Sequence, residues 1–140
     1  MNLRKQQKNR RKEVDRLEQE MLKQPQVMLE VDEKYTDGMY IRTIFIPKNT
    51  LLTSEIHKIE HPFVITEGII VVRNVDTDES VTYEAPYVGI TVPMTRRVLY
   101  SLEDTVWTTF HPNPQNKDIM ELAKDLLVDR PHITPQYKIQ

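Results

Sequence analysis

Between residues 26 and 111 the chain is broken into short β-rich runs, with a break at roughly every 8–12 residues. Runs at 27–31 and 39–46 flank Asp37-Gly38, a turn dipeptide. Pro47-Lys48-Asn49-Thr50 turns the chain into a run at 51–59. Runs at 63–65 and 69–72 flank Glu67-Gly68, and Asp76-Thr77-Asp78-Glu79 reads as a hairpin tip before 81–83. Runs at 89–92, 97–102 and 105–110 complete the series. About eight or nine strands at this spacing predict a sandwich or barrel, because each run is too short to bury its apolar face except against another sheet.

The two ends read differently. Residues 3–23 are rich in helix formers and contain neither Gly nor Pro until Pro25. Val14, Leu17 and Met21 form a narrow apolar stripe, better suited to docking on a neighbour than to filling a core. A second helix is predicted over 116–129, capped by Asn116, with Ile119, Met120, Ala123, Leu126 and Leu127 on its apolar face. Pro131 stops it, and 131–140 reads as an extended arm. The predicted organisation is a basic helical arm at 1–25, a β-barrel at 26–112, and a C-terminal helix and tail at 113–140.

Charge is uneven along the chain. The net charge is -2, yet residues 1–24 hold eight Lys/Arg and four Asp/Glu. Arg4, Lys5, Lys8, Arg10, Arg11 and Lys12 form a block that can bind nucleic acid or an acidic partner. The absence of cysteine excludes disulfides and thiolate metal sites. No apolar run reaches the ~18–20 residues of a membrane span, and the basic start lacks the apolar segment of a secretory signal. The expected setting is a virion or a host cytoplasm.

Chemistry concentrates at Glu55-Ile56-His57-Lys58-Ile59-Glu60-His61. On a strand, side chains alternate with period two, so Glu55, His57 and His61 would share one face. Two imidazoles and a carboxylate suit a divalent transition metal, and His111 at the end of the last run is a candidate fourth ligand. Glu60 neighbours His61 and would face the other side. Arg97 is a candidate anion-binding residue, since guanidinium grips carboxylate or phosphate bidentately. Arg96 or Arg97 could instead pair with Glu103 or Asp104. Trp107 alternates with Thr105 and Thr109 on one strand face and reads as packing. Three scattered glycines exclude a Gly-rich phosphate loop.

The stretch from Met39 to Pro112 resembles a cupin. In that family's first motif, two histidines stand two apart, a glutamate follows by four and a glycine by seven. Glu55, His57, His61 and Gly68 keep this spacing with the residue types exchanged. Pro93-Met94-Thr95-Arg96-Arg97 resembles the second motif, with Arg97 nearest the family's histidine position. Residues 56–61, 93–98 and 103–111 also resemble small uncharacterised cupin-like proteins of tailed bacteriophages. The resemblance implies a mainly β fold, a cupin-type small jelly-roll barrel with an N-terminal basic helix and a C-terminal helix plus extended tail.

Two classes of function follow. The preferred expectation is a non-enzymatic structural or accessory bacteriophage protein whose terminal arms make assembly contacts. Those contacts would run through residues 1–24, to a second copy or to other virion proteins. The alternative is a metal-dependent cupin enzyme acting on a small molecule, with Glu55, His57, His61 and His111 around one divalent transition metal. A binder of an anionic ligand, using Arg97, is a further alternative. No cofactor is required by the first reading.

Overall fold

The computed structural model describes residues 2–130. The predicted tail at 131–140, with His132, lies outside the described residues. Helix α1 (Leu3–Met21) is followed by β1 (Glu30–Thr36), β2 (Gly38–Ile46), β3 (Leu51–Thr53), β4 (His61–Glu67) and β5 (Ile69–Asn74). Then come β6 (Ser80–Glu84), β7 (Tyr87–Thr91), β8 (Arg97–Ser101), β9 (Thr105–Asn113) and helix α2 (Ile119–Leu126). The strands form two antiparallel sheets, ordered β1-β2-β9-β4-β7 and β3-β8-β5-β6. This is the mainly β architecture, flanked by a helix at each end, that the turn spacing predicts.

The sheets face each other across Ile46, Phe63, Ile65, Ile70, Val72, Leu99 and Trp107. Each such side chain contributes about 1.5–3 kcal/mol by leaving water. The Phe63 and Trp107 rings stack with centroids 4.5 Å apart. Gly68 turns the chain between β4 and β5 at φ +100°, where a Cβ would lie 2.4 Å from Thr105 Oγ1. That position therefore requires glycine for its backbone conformation and for space alike.

The boundaries depart from the sequence reading where tertiary contacts decide them. The first strand starts at Glu30, leaving Val27 and Met28 exposed. The run at 51–59 is a strand only to Thr53 and a loop beyond it. Helix α2 is shorter than predicted and is capped by Asp118, which accepts from the Met120 N–H. Asn116 instead sits at φ 53° and accepts from the Gly38 N–H. Ile119, Leu122, Ala123 and Leu126 pack α2 against Tyr40, while Met120 faces solvent.

Helix α1 lies on its own barrel, although its narrow stripe pointed to a neighbouring subunit. Val14 is buried there, and charge adds to the docking. Arg11 forms a bidentate pair with Asp76, and Arg10 donates to the Val75 and Asp76 carbonyls. Glu18, 2 % exposed, meets Arg96, Arg130 and the Thr53 hydroxyl. Among the described residues no helix is long and apolar enough to cross a membrane.

Candidate metal centre

The inner face of the five-stranded sheet changes character along its strands. The register places Ile44, Trp107, Ile65 and Tyr87 side by side, then Arg42, Thr109, Phe63 and Gly89. The next row holds Tyr40 opposite His111, and His61 opposite Thr91. The packed apolar interior thus opens onto imidazoles at one end. His111 continues the inward series Thr105, Trp107, Thr109 along β9, as alternation requires.

His57 reaches the same place from the loop between β3 and β4. Segment 126–128, at the end of α2, pins that loop: Lys58 N donates to the Leu126 carbonyl at 2.7 Å and Val128 N to the Ile56 carbonyl at 2.9 Å. From the other side, Met94 N donates to the His57 carbonyl at 2.7 Å. Ring centroids are 4.4 Å apart for His57 and His61, 4.3 Å for His61 and His111, and 5.3 Å for His57 and His111. One nitrogen from each lies within 4.8 Å of the others.

The protonation chemistry suits a metal. Burial, reinforced by the neighbouring imidazoles and Arg97, pushes His57 down to about 2. Burial likewise pushes His111 down to about 3 and lowers His61. All three rings are therefore neutral near pH 7, the form that ligates. His61 Nδ1 lies 3.0 Å from the Ile59 carbonyl, an acceptor, so that nitrogen carries the proton. His61 Nε2, buried and without a hydrogen-bond partner, then holds a free lone pair. His57 Nδ1 is buried and partnerless too. His111 Nε2 is 2.8 Å from Thr109 Oγ1, whose own hydrogen has a long contact of 3.5 Å to the Arg42 carbonyl. This orders the imidazole as a second polar group does for a metal-bound histidine.

Glu55 is not in the cluster. Its carboxylate pairs with Arg130 Nη2 at 2.9 Å, and Arg130 Nη1 holds Glu18 at 2.7 Å. Glu55 and His57 are two apart, but the backbone between them is loop, so alternation does not govern where they point. The pair His57 and His61 converges through tertiary pinning, not through a shared strand face.

Arg97 reaches Thr91 Oγ1 at 3.3 Å, directly across from His61. Its guanidinium lies 5.8 Å from the Phe63 ring centroid and 5.6 Å from that of Trp107. Its Nε is buried without a partner, and burial lowers its pKa. Arg96 differs: it pairs with Glu18 and Asp15. Neither arginine takes Glu103 or Asp104, which instead serve Lys48. Glu18 and Arg130 are the polar residues that sequence reasoning missed, because both act across the whole length of the chain.

No protein-family model matches the sequence, and no curated protein matches it. Solved structures do match the fold. A cupin superfamily protein from Desulfitobacterium hafniense is 9% identical with a TM-score of 0.52, over 64% of this chain and 81% of its own. A conserved protein of unknown function from Streptococcus pyogenes is 11% identical with a TM-score of 0.51, over 65% and 79%. A salicylate 1,2-dioxygenase from Pseudaminobacter salicylatoxidans is 14% identical with a TM-score of 0.56, over 81% of this chain but 34% of the enzyme. These likenesses lend nothing to the bacteriophage resemblance. Identities this low carry architecture alone: the chain has the fold of cupin superfamily proteins.

Proposed function

We propose that the barrel holds one divalent transition metal on His57, His61 and His111 and acts on a small organic anion beside it. The observation that carries this reading is the convergence of three neutral imidazoles within 4.8 Å, two of them with a buried ring nitrogen that lacks a partner. Such atoms are costly to bury unless something completes them, at about 1–3 kcal/mol each. A divalent metal bound there would supply Lewis acidity toward a ligand oxygen.

The chain's own residues supply orientation and selectivity. The Ile59 carbonyl fixes the His61 tautomer, and Thr109 orders His111. Three neutral ligands leave a metal's charge uncompensated, and Arg97 adds a further positive charge with no carboxylate partner among the described residues. A buried site of that sign selects an anion, and a carboxylate can pair with Arg97 while facing a metal held on the histidines. Phe63 and Trp107 lie beside the Arg97 guanidinium and give it apolar surroundings on the core side.

The test uses Trp107, the chain's one tryptophan, as reporter. Protein loaded with zinc, nickel, iron(II) or manganese is titrated with a panel of small carboxylates. Saturable fluorescence change is expected, with affinity falling at least about tenfold in Arg97→Gln while metal stoichiometry is kept. No response to any carboxylate in the metal-loaded protein would refute the anion assignment.

A non-enzymatic accessory role for the terminal arms, in a virion or elsewhere, is the second reading. It is favoured by Arg4, Lys5, Lys8 and Lys12, which stand exposed on α1 while Arg10 and Arg11 engage the barrel. Salt-dependent binding of a DNA duplex, lost on replacing those four exposed bases, would support it.

A further inference from the structure

Helix α1 meets the barrel with a face that is mostly charged. Arg11, Val14 and Glu18 stand at i, i+3 and i+7 and so share one side of the helix. Val14 and Glu18 are 3% and 2% exposed, and the Arg11 side chain 29%. Covering apolar surface calls for hydrocarbon, and a buried carboxylate is costly unless it is matched. Besides Asp76 and Arg130, Arg11 and Glu18 reach two short segments, 53–57 and 94–97, and these carry His57 and Arg97.

We infer that Arg11 and Glu18 are positioning residues for the site: from outside the barrel, α1 clamps the two segments that present His57 and Arg97. Strand β3 ends at Thr53, opposite Val98 on β8. Just beyond that pair the segments are joined, Ser54 N donating to the Arg97 carbonyl at 2.9 Å and Arg97 N to Ser54 Oγ at 2.9 Å. Glu18 grips the residue before each side of this joint. It accepts from the Thr53 hydroxyl at 2.5 Å and pairs with Arg96. Arg96 Nη1 also donates to the Arg11 carbonyl at 3.1 Å, which ties that arginine to the helix at a second point. Arg11 acts further along the same segment. Its Nη2 donates to the Met94 carbonyl at 2.8 Å, and Met94 N donates to the His57 carbonyl at 2.7 Å. One residue thus links α1 to the backbone of His57.

The conformation of Met94 is an independent sign of this clamp. Its φ is 64°, in the left-handed region, which a side chain with a Cβ disfavours. The other non-glycine residues at positive φ among the described ones are Asn49, Asp78 and Asn116, types that tolerate it. The Met94 side chain is 47% exposed, so packing does not impose the conformation. Its two backbone hydrogen bonds, one to α1 and one to His57, do. Backbone held in this way by its surroundings gathers at functional sites.

The inference deepens the metal reading, and the test keeps the two apart. Amide hydrogen exchange is measured by NMR on the metal-free full chain, for the wild type, Arg11→Gln, Glu18→Gln and, as a control, Arg16→Gln, an exposed base of α1. The Met94 N–H in R11Q and the Ser54 N–H in E18Q are expected to exchange at least about tenfold faster, with R16Q like the wild type. Glu18 is buried, so R11Q, at a partly exposed position, guards against general unfolding: its β4–β9 ladder amides should stay within about twofold of the wild type. Zinc titration then reads the consequence, binding at least about tenfold weaker in R11Q and unchanged in R16Q. Unchanged exchange at Met94 in R11Q, or an equal rise across the ladder, would overturn the clamp. Faster exchange at Met94 with zinc affinity intact would overturn the positioning role. A wild type that binds no metal would refute the metal reading instead, and is told apart because exchange is read without metal.

Discussion

Two groups of buried polar side chains lie on either side of the loop between β3 and β4, and they are built on opposite principles. Around Glu18 every charge is matched: Arg96, Arg130 and Thr53 converge on one carboxylate, with Asp15 and Glu55 taking the outer sides of the arginines. Around His61 the imidazoles are neutral, the nearby charge of Arg97 has no carboxylate partner among the described residues, and nitrogens of His57 and His61 lack partners. Glu55 and His57 are two residues apart yet belong to different groups. The contrast separates a charge-matched contact of α1 and Arg130 with the barrel from a set of neutral imidazoles whose ring nitrogens converge. Each group leaves buried nitrogens unbonded, Arg96 Nε and Arg130 Nε in the first and His57 Nδ1 and His61 Nε2 in the second, but only the second offers free lone pairs, because a guanidinium N–H can donate and never accept.

The largest effect is expected where a charge match is broken. Glu18→Gln leaves Arg96 and Arg130 short of a buried counter-charge and should cost about 3 kcal/mol, lowering Tm by about 10 °C. Thermal unfolding measures it; a loss under about 1 kcal/mol would dissolve the distinction between the two groups. The imidazole side should behave in reverse. His111→Gln is expected to weaken metal binding at least about 100-fold, roughly 2.7 kcal/mol, while thermal stability without metal changes by less than about 1 kcal/mol. Equal losses in both readouts would make His111 a structural residue.

Glu55 sharpens the boundary. Glu55→Gln removes an outer partner of Arg130 and should cost about 1 kcal/mol of stability, yet leave metal affinity within about twofold. A large drop in affinity would return Glu55 to the ligand set. The smallest effect belongs to Asp76, whose pKa is lowered by the hydrogen bond from Arg11. A carboxylate with a depressed folded pKa stabilises above its unfolded value of 3.8 and loses that contribution as pH falls through the lower folded value. Asp76→Asn should thus cost under about 1 kcal/mol at pH 7, the pair being partly solvated, and nothing well below pH 3.8. A deficit that persists unchanged in acid would mean that Arg11 and Asp76 do not dock α1 by charge.

Much of the barrel was legible because turn residues punctuate it locally, as Gly68 and Asp37-Gly38 do. His111 was legible too, as the next inward position after Thr105, Trp107 and Thr109. The loop at 54–60 was not, because its composition favours a strand, and distant contacts from segment 126–128, Met94 and Arg130 pull it away. Even spacing therefore found His57 and His61 while misplacing Glu55. The partners of Arg96 were illegible for a different reason: Glu18 is 78 residues away, and Glu103 and Asp104 were nearer in sequence.

The central claim is that the neutral cluster holds a metal. Isothermal titration of chelator-stripped protein with zinc, nickel, iron(II) and manganese, run in parallel on the wild type and on His61→Gln, addresses it most directly. The expected result is one ion per chain for at least one of these metals, and binding abolished or at least about 100-fold weaker in H61Q. No saturable binding of any of the four metals, or binding of the same strength in H61Q, would contradict it.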